Sequence, residues 1–177
     1  MMERRVVYSI PARVIHWLAA TIIVATFIIG VAMLRALPGA GQNQLFDLHR
    51  SLGLTILALT TVRLLWRLRH RPPELPEDTP AWIRTSAAWS HRMLYVLMLA
   101  LPILGWLGSS AFGAPVHFFG LFDLPPLVDK NKLLADVVFA AHKTGAFVLA
   151  GLVTLHVGAA FFHLLIRRDG VFRRMVG

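Results

Sequence analysis

The chain has no cysteine among its 177 residues. This absence excludes a disulfide framework, an iron–sulfur cluster and a zinc site built from thiolates. It also excludes the C-x-x-C-H sequence that attaches haem covalently, so any haem would have to be held by axial ligands and packing alone.

Charged residues are scarce, at 15% of the chain against 56% hydrophobic residues. Soluble proteins carry about 25% charged residues, and the mean hydropathy of +0.64 points to lipid as the solvent of this chain. The formal net charge of +9 raises the question of nucleic-acid binding. The basic residues, however, lie at the ends of long apolar runs rather than in a stripe on a polar surface, so no nucleic-acid partner is predicted.

Four apolar runs are long enough to cross a membrane, which takes about 20 residues in a helix. They cover residues 14–34, 48–68, 90–109 and 137–166. No repeat or long linker divides the chain, so the sequence predicts one domain over residues 1–177, an all-α integral membrane four-helix bundle. The connection at residues 111–136 carries several phenylalanines and two adjacent prolines, and we expect it to lie in the membrane interface.

The basic residues favour one orientation of this bundle. Thirteen arginines flank one side, whereas five arginines and lysines flank the other. Because basic segments stay in the cytoplasm, the first side and both termini are predicted to be cytoplasmic, and the short basic N-terminus is interpreted as part of a retained first helix rather than of a signal peptide. The first set is Arg4, Arg5, Arg13, Arg63, Arg67, Arg69, Arg71, Arg84, Arg92, Arg167, Arg168, Arg173 and Arg174; the second is Arg35, Arg50, Lys130, Lys132 and Lys143.

Four histidines lie within the predicted spans, where ionisable residues are costly and usually functional. His142 and His156 are two heptads apart, so they share one face of the fourth helix at a separation of about 21 Å along its axis. Each therefore needs a partner from another helix. By depth, His49 is level with His142 near the outer surface, and His16 is level with His156 near the cytoplasmic one. Two facing imidazoles in a helical bundle typically hold a haem iron, which predicts two haems stacked along the membrane normal.

Several alternatives remain open at these levels. Zinc would require three or four protein ligands, whereas each level offers two histidines. Arg63, at the depth of the inner haem, is predicted either to pair with a haem propionate or to extend to the membrane surface. Gly30 would either leave space for the outer porphyrin or pack helices together. His163, one heptad after His156, would either contact a quinone carbonyl or face the headgroups, and His91 has no assigned role.

Six short stretches resemble the bacterial cytochrome b561 family, whose wider superfamily includes the cytochrome b subunits of nickel–iron hydrogenases. The order and spacing of the four histidines along the whole chain make the resemblance specific. The stretches are Val14-Ile15-His16-Trp17, Leu48-His49-Arg50-Ser51-Leu52-Gly53, Arg63-Leu64-Leu65-Trp66-Arg67, Ala100-Leu101-Pro102-Ile103-Leu104-Gly105-Trp106, Ala141-His142-Lys143 and Leu155-His156.

This resemblance implies a multi-pass protein of the bacterial inner membrane that binds two b haems through the four histidines. One branch of the family is a superoxide oxidase that passes electrons from periplasmic superoxide to ubiquinone. His163 stands where that branch has a quinone-contacting histidine, but Val14 replaces a serine near the quinone. We therefore expect electron transfer from a small anionic donor such as superoxide to quinone. A cytochrome b subunit that serves a separate dehydrogenase or redox partner protein is one alternative, and a haem-free membrane anchor or metal transporter is another.

Overall fold

A computed structural model describes residues 7–70, 72–76 and 78–177. Within these residues, four long helices dominate the fold, and each is long and apolar enough to cross a membrane. The predicted all-α membrane fold is therefore confirmed. Three arginines used in the orientation argument, Arg4, Arg5 and Arg71, lie outside the described residues. The helices are α1 (Ile10–Arg35), α2 (Ala40–Arg69), α3 (Ala81–Phe112) and α4 (Lys132–Phe161).

Two of the helices begin much earlier than the apolar runs that predicted them. α2 starts at Ala40 rather than near residue 48, and α3 starts at Ala81 rather than near residue 90. The extra turns are polar or mixed in sequence, so a hydropathy window does not include them. Proline marks both true starts, because Pro38 precedes the Gly39 N-cap of α2 and Pro80 is the N-cap of α3. Helical structure thus extends beyond the apolar core at these two ends.

A small β-hairpin occupies the connection between α3 and α4, where no strand was predicted. Strands β1 (Val116–Phe118) and β2 (Phe122–Leu124) are antiparallel. Residues 119–121 join them. Phe119 and Gly120 have φ values of 50° and 71°, as the central residues of a type I′ turn require, and the Leu121 amide donates to the Phe118 carbonyl at 2.9 Å. The hairpin is fixed to α2 by the buried hydroxyl of Ser51, which accepts a hydrogen bond from the Phe119 amide at 2.9 Å. We call this end of the bundle the hairpin side.

The opposite end, which we call the tail side, joins the last residues of the chain to the start of α1. α4 continues as a π-helical turn (Phe162–Arg167), and the chain ends in a short helix, α5 (Arg173–Val176). Arg13 donates to the Val176 carbonyl at 2.9 Å, and the Trp17 indole donates to the Met175 carbonyl at 3.1 Å. The start of α1 and the end of the chain therefore lie on the same side, as four spans require.

The helices pack mainly in sequence order, α1 on α2, α2 on α3 and α3 on α4. Few side chains in the spanning segments are buried within the protein, and the large exposed residues are mostly apolar. Such a surface suits contact with lipid tails. The face of α4 that carries His142 and His156 is directed towards α2 and α1, from which the other two span histidines project.

Candidate functional site

The hairpin-side pair consists of His49 on α2 and His142 on α4. Their ring centroids are 6.0 Å apart, and the ring planes are inclined at 74°. The tail-side pair consists of His16 on α1 and His156 on α4, with centroids 6.3 Å apart and planes inclined at 73°. The structure thus brings together the same partners that the depth argument joined, one pair near each end of the bundle.

The spacing of the two pairs fits a metal ion held between two opposed imidazoles. With metal–nitrogen bonds of about 2 Å, imidazoles on opposite sides of a metal have centroids about 6 Å apart, whereas two ligands of a tetrahedral zinc have centroids about 5 Å apart. Among the described residues, no cluster of three or more histidine, cysteine, aspartate or glutamate side chains could hold a metal by itself. Both pairs therefore suit haem, in which the porphyrin supplies the other four ligands.

Hydrogen bonds orient both rings of the hairpin-side pair. His49 Nδ1 lies 3.0 Å from the Thr26 carbonyl oxygen, and His142 Nδ1 lies 2.9 Å from that of Leu101. A carbonyl can only accept, so each Nδ1 carries the proton and donates it. Nε2 of each ring is then the free acceptor, which is the state that a metal ligand needs.

Two glycines make room for these same rings. A Cβ at Gly30 of α1 would lie 2.9 Å from Cε1 of His49, and a Cβ at Gly105 of α3 would lie 3.3 Å from Cε1 of His142. The first distance is a clash and the second is a very tight contact. Gly30 was considered from the sequence as space for the porphyrin or for helix packing, but the group it accommodates is the imidazole of His49. The sequence did not predict that Gly105 makes room for a histidine.

The tail-side pair has a positively charged neighbour. Arg63 of α2 donates from Nη1 to the Ala12 carbonyl at 2.7 Å and from Nε to the Tyr95 hydroxyl at 3.1 Å. Ala12 lies one helical turn before His16, so the guanidinium is held close to this pair instead of extending freely to the surface. The contact with a haem propionate remains a prediction.

His91 is a fifth histidine near the tail-side pair, and the sequence argument gave it no role. Its ring centroid lies 5.3 Å from that of His156, with the planes at 71°. The expected start of α3 near residue 90 placed His91 at the membrane surface. With α3 beginning at Ala81, His91 is three turns inside the helix and level with His156.

His163 lies in the π-helical turn and is only 8% exposed. Its Nδ1 is 2.6 Å from Oδ2 of Asp169, which also accepts from Arg167 Nε at 3.1 Å. Burial raises the pKa of Asp169, but hydrogen bonds from His163 and the Val171 amide, with the Arg167 charge, outweigh it and hold that pKa below its ordinary value. Asp169 is thus a carboxylate at neutral pH.

A shallow groove of about 460 Å³ lies between α1 and the end of the chain on the tail side. Its walls are mostly apolar, with one arginine and one threonine among them. Val14, which the family resemblance placed near the quinone, lines this groove. The lining residues are Ile10, Arg13, Val14, Trp17, Leu18, Thr21, Met175 and Val176.

Comparison with known proteins gives concordant matches along almost the whole chain. The family model described as "Prokaryotic cytochrome b561" matches residues 7–177. "Cytochrome b561 homolog 2" of Escherichia coli (strain K12) is 33% identical over 172 residues, which cover 96% of this chain and 91% of the relative. "Cytochrome b562" of Cereibacter sphaeroides is 31% identical, with 92% and 90% covered. "Probable superoxide oxidase CybB" of Yersinia pestis is 29% identical, with 92% and 91% covered.

Proposed function

Because the chain belongs to the prokaryotic cytochrome b561 family, we propose that it holds two b haems and passes single electrons across the bacterial inner membrane to a quinone. Membership by itself makes the chain a multi-pass membrane cytochrome b that transfers electrons and uses haem b. The haem-free anchor or transporter considered from the sequence does not fit this family. The number of haems, their ligands, the donor and the acceptor belong to the proposal.

The observation that carries the proposal is the presence of two imidazole pairs with centroids 6.0 and 6.3 Å apart, one near each end of the bundle. His49 and His142 hold the hairpin-side haem, and His16 and His156 hold the tail-side haem. Haem held by two histidines in this way would supply one-electron transfer. The four side chains exclude other ligands and set the two cofactors at different depths.

The orientation follows from the basic residues that flank the bundle. Ten of the thirteen arginines of the cytoplasmic set lie within the described residues, and they belong to the ends of α1, α2 and α3 and to the tail that make up the tail side. The tail side is thus cytoplasmic and the hairpin side periplasmic. Electrons enter on the hairpin side, beside His49 and His142, and leave on the tail side, beside His16 and His156.

The quinone site belongs to the tail side, where both candidate features are found. The groove lined by Val14 and Trp17 has exposed apolar walls and suits an apolar ring with a prenyl tail. Asp169 engages Nδ1 of His163, so Nε2 is the nitrogen left to face a quinone carbonyl, to which it can donate only as Nε2–H. When His163 is protonated, Nε2–H donates to the carbonyl as negative charge develops there, and the Asp169 carboxylate stabilises the imidazolium.

Superoxide is the donor that we propose, on the precedent of the relative named a probable superoxide oxidase. Two superoxide ions give two electrons and leave as dioxygen, and the quinone takes up these electrons with two protons to become the quinol.

In a stopped-flow experiment with purified, ubiquinone-loaded protein, superoxide is expected to reduce the haems faster than it dismutates. Haem reduction no faster than dismutation would exclude superoxide as the donor. A stoichiometric dehydrogenase that co-purifies and reduces the haems would instead make the chain an electron-transfer subunit.

Alanine at Gly30 should weaken the hairpin-side haem site. The added Cβ would overlap the His49 ring at 2.9 Å, and the ring cannot move without losing its hydrogen bond to Thr26. We expect haem content to fall towards one per chain in G30A, measured by haem extraction against protein. Gly41→Ala is the matched control, because a Cβ there meets no atom within 4 Å. Full retention of both haems in G30A would show that the His49 site does not need a glycine at residue 30.

A further inference from the structure

The two histidine pairs differ in the charges that surround them. On the tail side, Arg63 hydrogen-bonds only neutral partners, the Ala12 carbonyl and the Tyr95 hydroxyl. It forms no ion pair with any acid among the residues that the structure describes. Ala12 lies one helical turn before His16 on α1, so these bonds hold the guanidinium beside the tail-side pair. The tail-side site therefore faces a positive charge that no acid of the described chain offsets.

A second arginine adds to this field. Arg67, one turn after Arg63 on α2, has its guanidinium carbon 5.8 Å from the ring centroid of Tyr95. Tyr95 lies one helical turn after His91 on α3, and the His91 ring in turn lies 5.3 Å from that of His156. Both arginines are only partly exposed, so water screens their charges less than those of surface residues.

The hairpin-side pair has the opposite character. Arg50, directly after His49, forms an ion pair with Asp47 at 3.1 Å, which offsets part of the charge that Arg50 exerts on His49. Lys143, directly after His142, is exposed, and its charge is screened by the surroundings. Both ligand rings donate Nδ1–H to carbonyl oxygens. Such bonds make an imidazole a more basic ligand and favour the oxidised metal.

Both differences make the reduction potential of the tail-side haem higher than that of the hairpin-side haem. Oxidised haem carries one more positive charge than reduced haem, so an unpaired cation nearby favours the reduced form and raises the potential. More basic axial ligands favour the oxidised form and lower it. The tail-side site has the unpaired cation, and the hairpin-side site has the more basic ligands.

We propose that Arg63, assisted by Arg67, sets the reduction potential of the tail-side haem above that of the hairpin-side haem, so that an electron moves downhill from the hairpin side to the tail side. In that step the hairpin-side iron is oxidised and the tail-side iron is reduced by the same electron. Arg63 is a positioning residue in this sense, because it acts on the haem potential and not on the substrate. The inference rests on the proposed function, since it requires a haem at each pair.

The test is an optical redox titration of the full-length protein in detergent. His49→Ala is expected to leave only the tail-side haem and His16→Ala only the hairpin-side haem, and the potential of the first should be higher. Adding Arg63→Gln to the His49→Ala protein should lower its potential, whereas Arg63→Lys, which keeps the charge, should restore most of it. Arg67→Gln should give a smaller shift in the same direction, and it replaces Arg63→Gln if that protein does not fold.

Arg69→Gln is the matched control, because Arg69 is an exposed arginine on the same helix and its charge is screened. It should leave both potentials unchanged. An equal or lower potential for the tail-side haem, or a potential that neither arginine substitution shifts relative to Arg69→Gln, would overturn the inference. A wild-type protein that holds one haem or none would instead refute the proposed function, so the two failures can be told apart.

Discussion

Alanine in place of His49 or His142 is expected to remove one of two haems and to leave the other in place. Each haem would have imidazole on both faces, and the loss of one ligand leaves a five-coordinate haem held by a single bond and packing. The hairpin-side and tail-side pairs lie on separate levels of α4, so damage at one need not reach the other. Haem extraction should give about half of the wild-type haem per chain, with one component missing from the reduced alpha band.

The complementary substitutions make this result specific. His16→Ala and His156→Ala should remove the other spectral component, so the four variants should fall into two classes. His70→Ala and His117→Ala are the controls, because His70 stacks on Trp66 at the end of α2 and His117 pairs with Asp123 in the hairpin. Both controls should keep the full haem content. An equal loss of both haems from all four ligand variants would contradict the pairing.

The histidine pairs could be predicted because the sequence indicates how deep each residue lies in the membrane. The spacing of His142 and His156 fixes both their shared face and their separation, whatever the details of packing. The basic residues and the apolar runs then determine which ends of the helices are level. These arguments need only helix geometry and the thickness of the bilayer, and errors of several residues in the helix ends do not change which histidines meet.

The environment of each pair could not be predicted in the same way. The role of Gly30 depends on the direction in which the His49 side chain turns, which follows from the hydrogen bond to the Thr26 carbonyl and not from spacing. His91 was missed because hydropathy places the start of α3 about nine residues late. The hairpin was missed because its strands have only three residues each and no alternation long enough to detect.

His163 and Asp169 show the same limit at the tail side. A heptad after His156 is enough to place His163 on the inner part of α4, but the helix changes to π geometry there and the sequence carries no clear sign of it. π-helical turns often occur at functional sites, where they re-aim a side chain. Asp169 comes after the helix has ended, so no periodicity connects it to His163, and only the structure shows the 2.6 Å contact between them.

Alanine at His163 is expected to slow quinone reduction by about 100-fold or more while both haems stay bound, because proton donation by a positioned group is typically worth 10²–10⁴ in rate. Asp169→Asn should produce a smaller loss, since it keeps the size of the acceptor but removes the charge that stabilises the imidazolium. The measurement is the reoxidation of prereduced protein by a soluble ubiquinone, followed at the alpha band.

Asp136→Asn is the matched control for Asp169→Asn. Asp136 is also an aspartate in an ion pair, with Lys132 at 2.8 Å, but that pair is exposed and lies at the start of α4, on the hairpin side. It should leave quinone reduction unchanged.

Since the pKa of Asp169 lies below its ordinary value of about 4, the wild-type rate should not change between pH 5 and 8 through titration of this carboxyl group, and it should fall only when acid protonates Asp169. Unchanged reoxidation in both His163→Ala and Asp169→Asn would place the quinone elsewhere, with the groove lined by Val14 as the next site to alter.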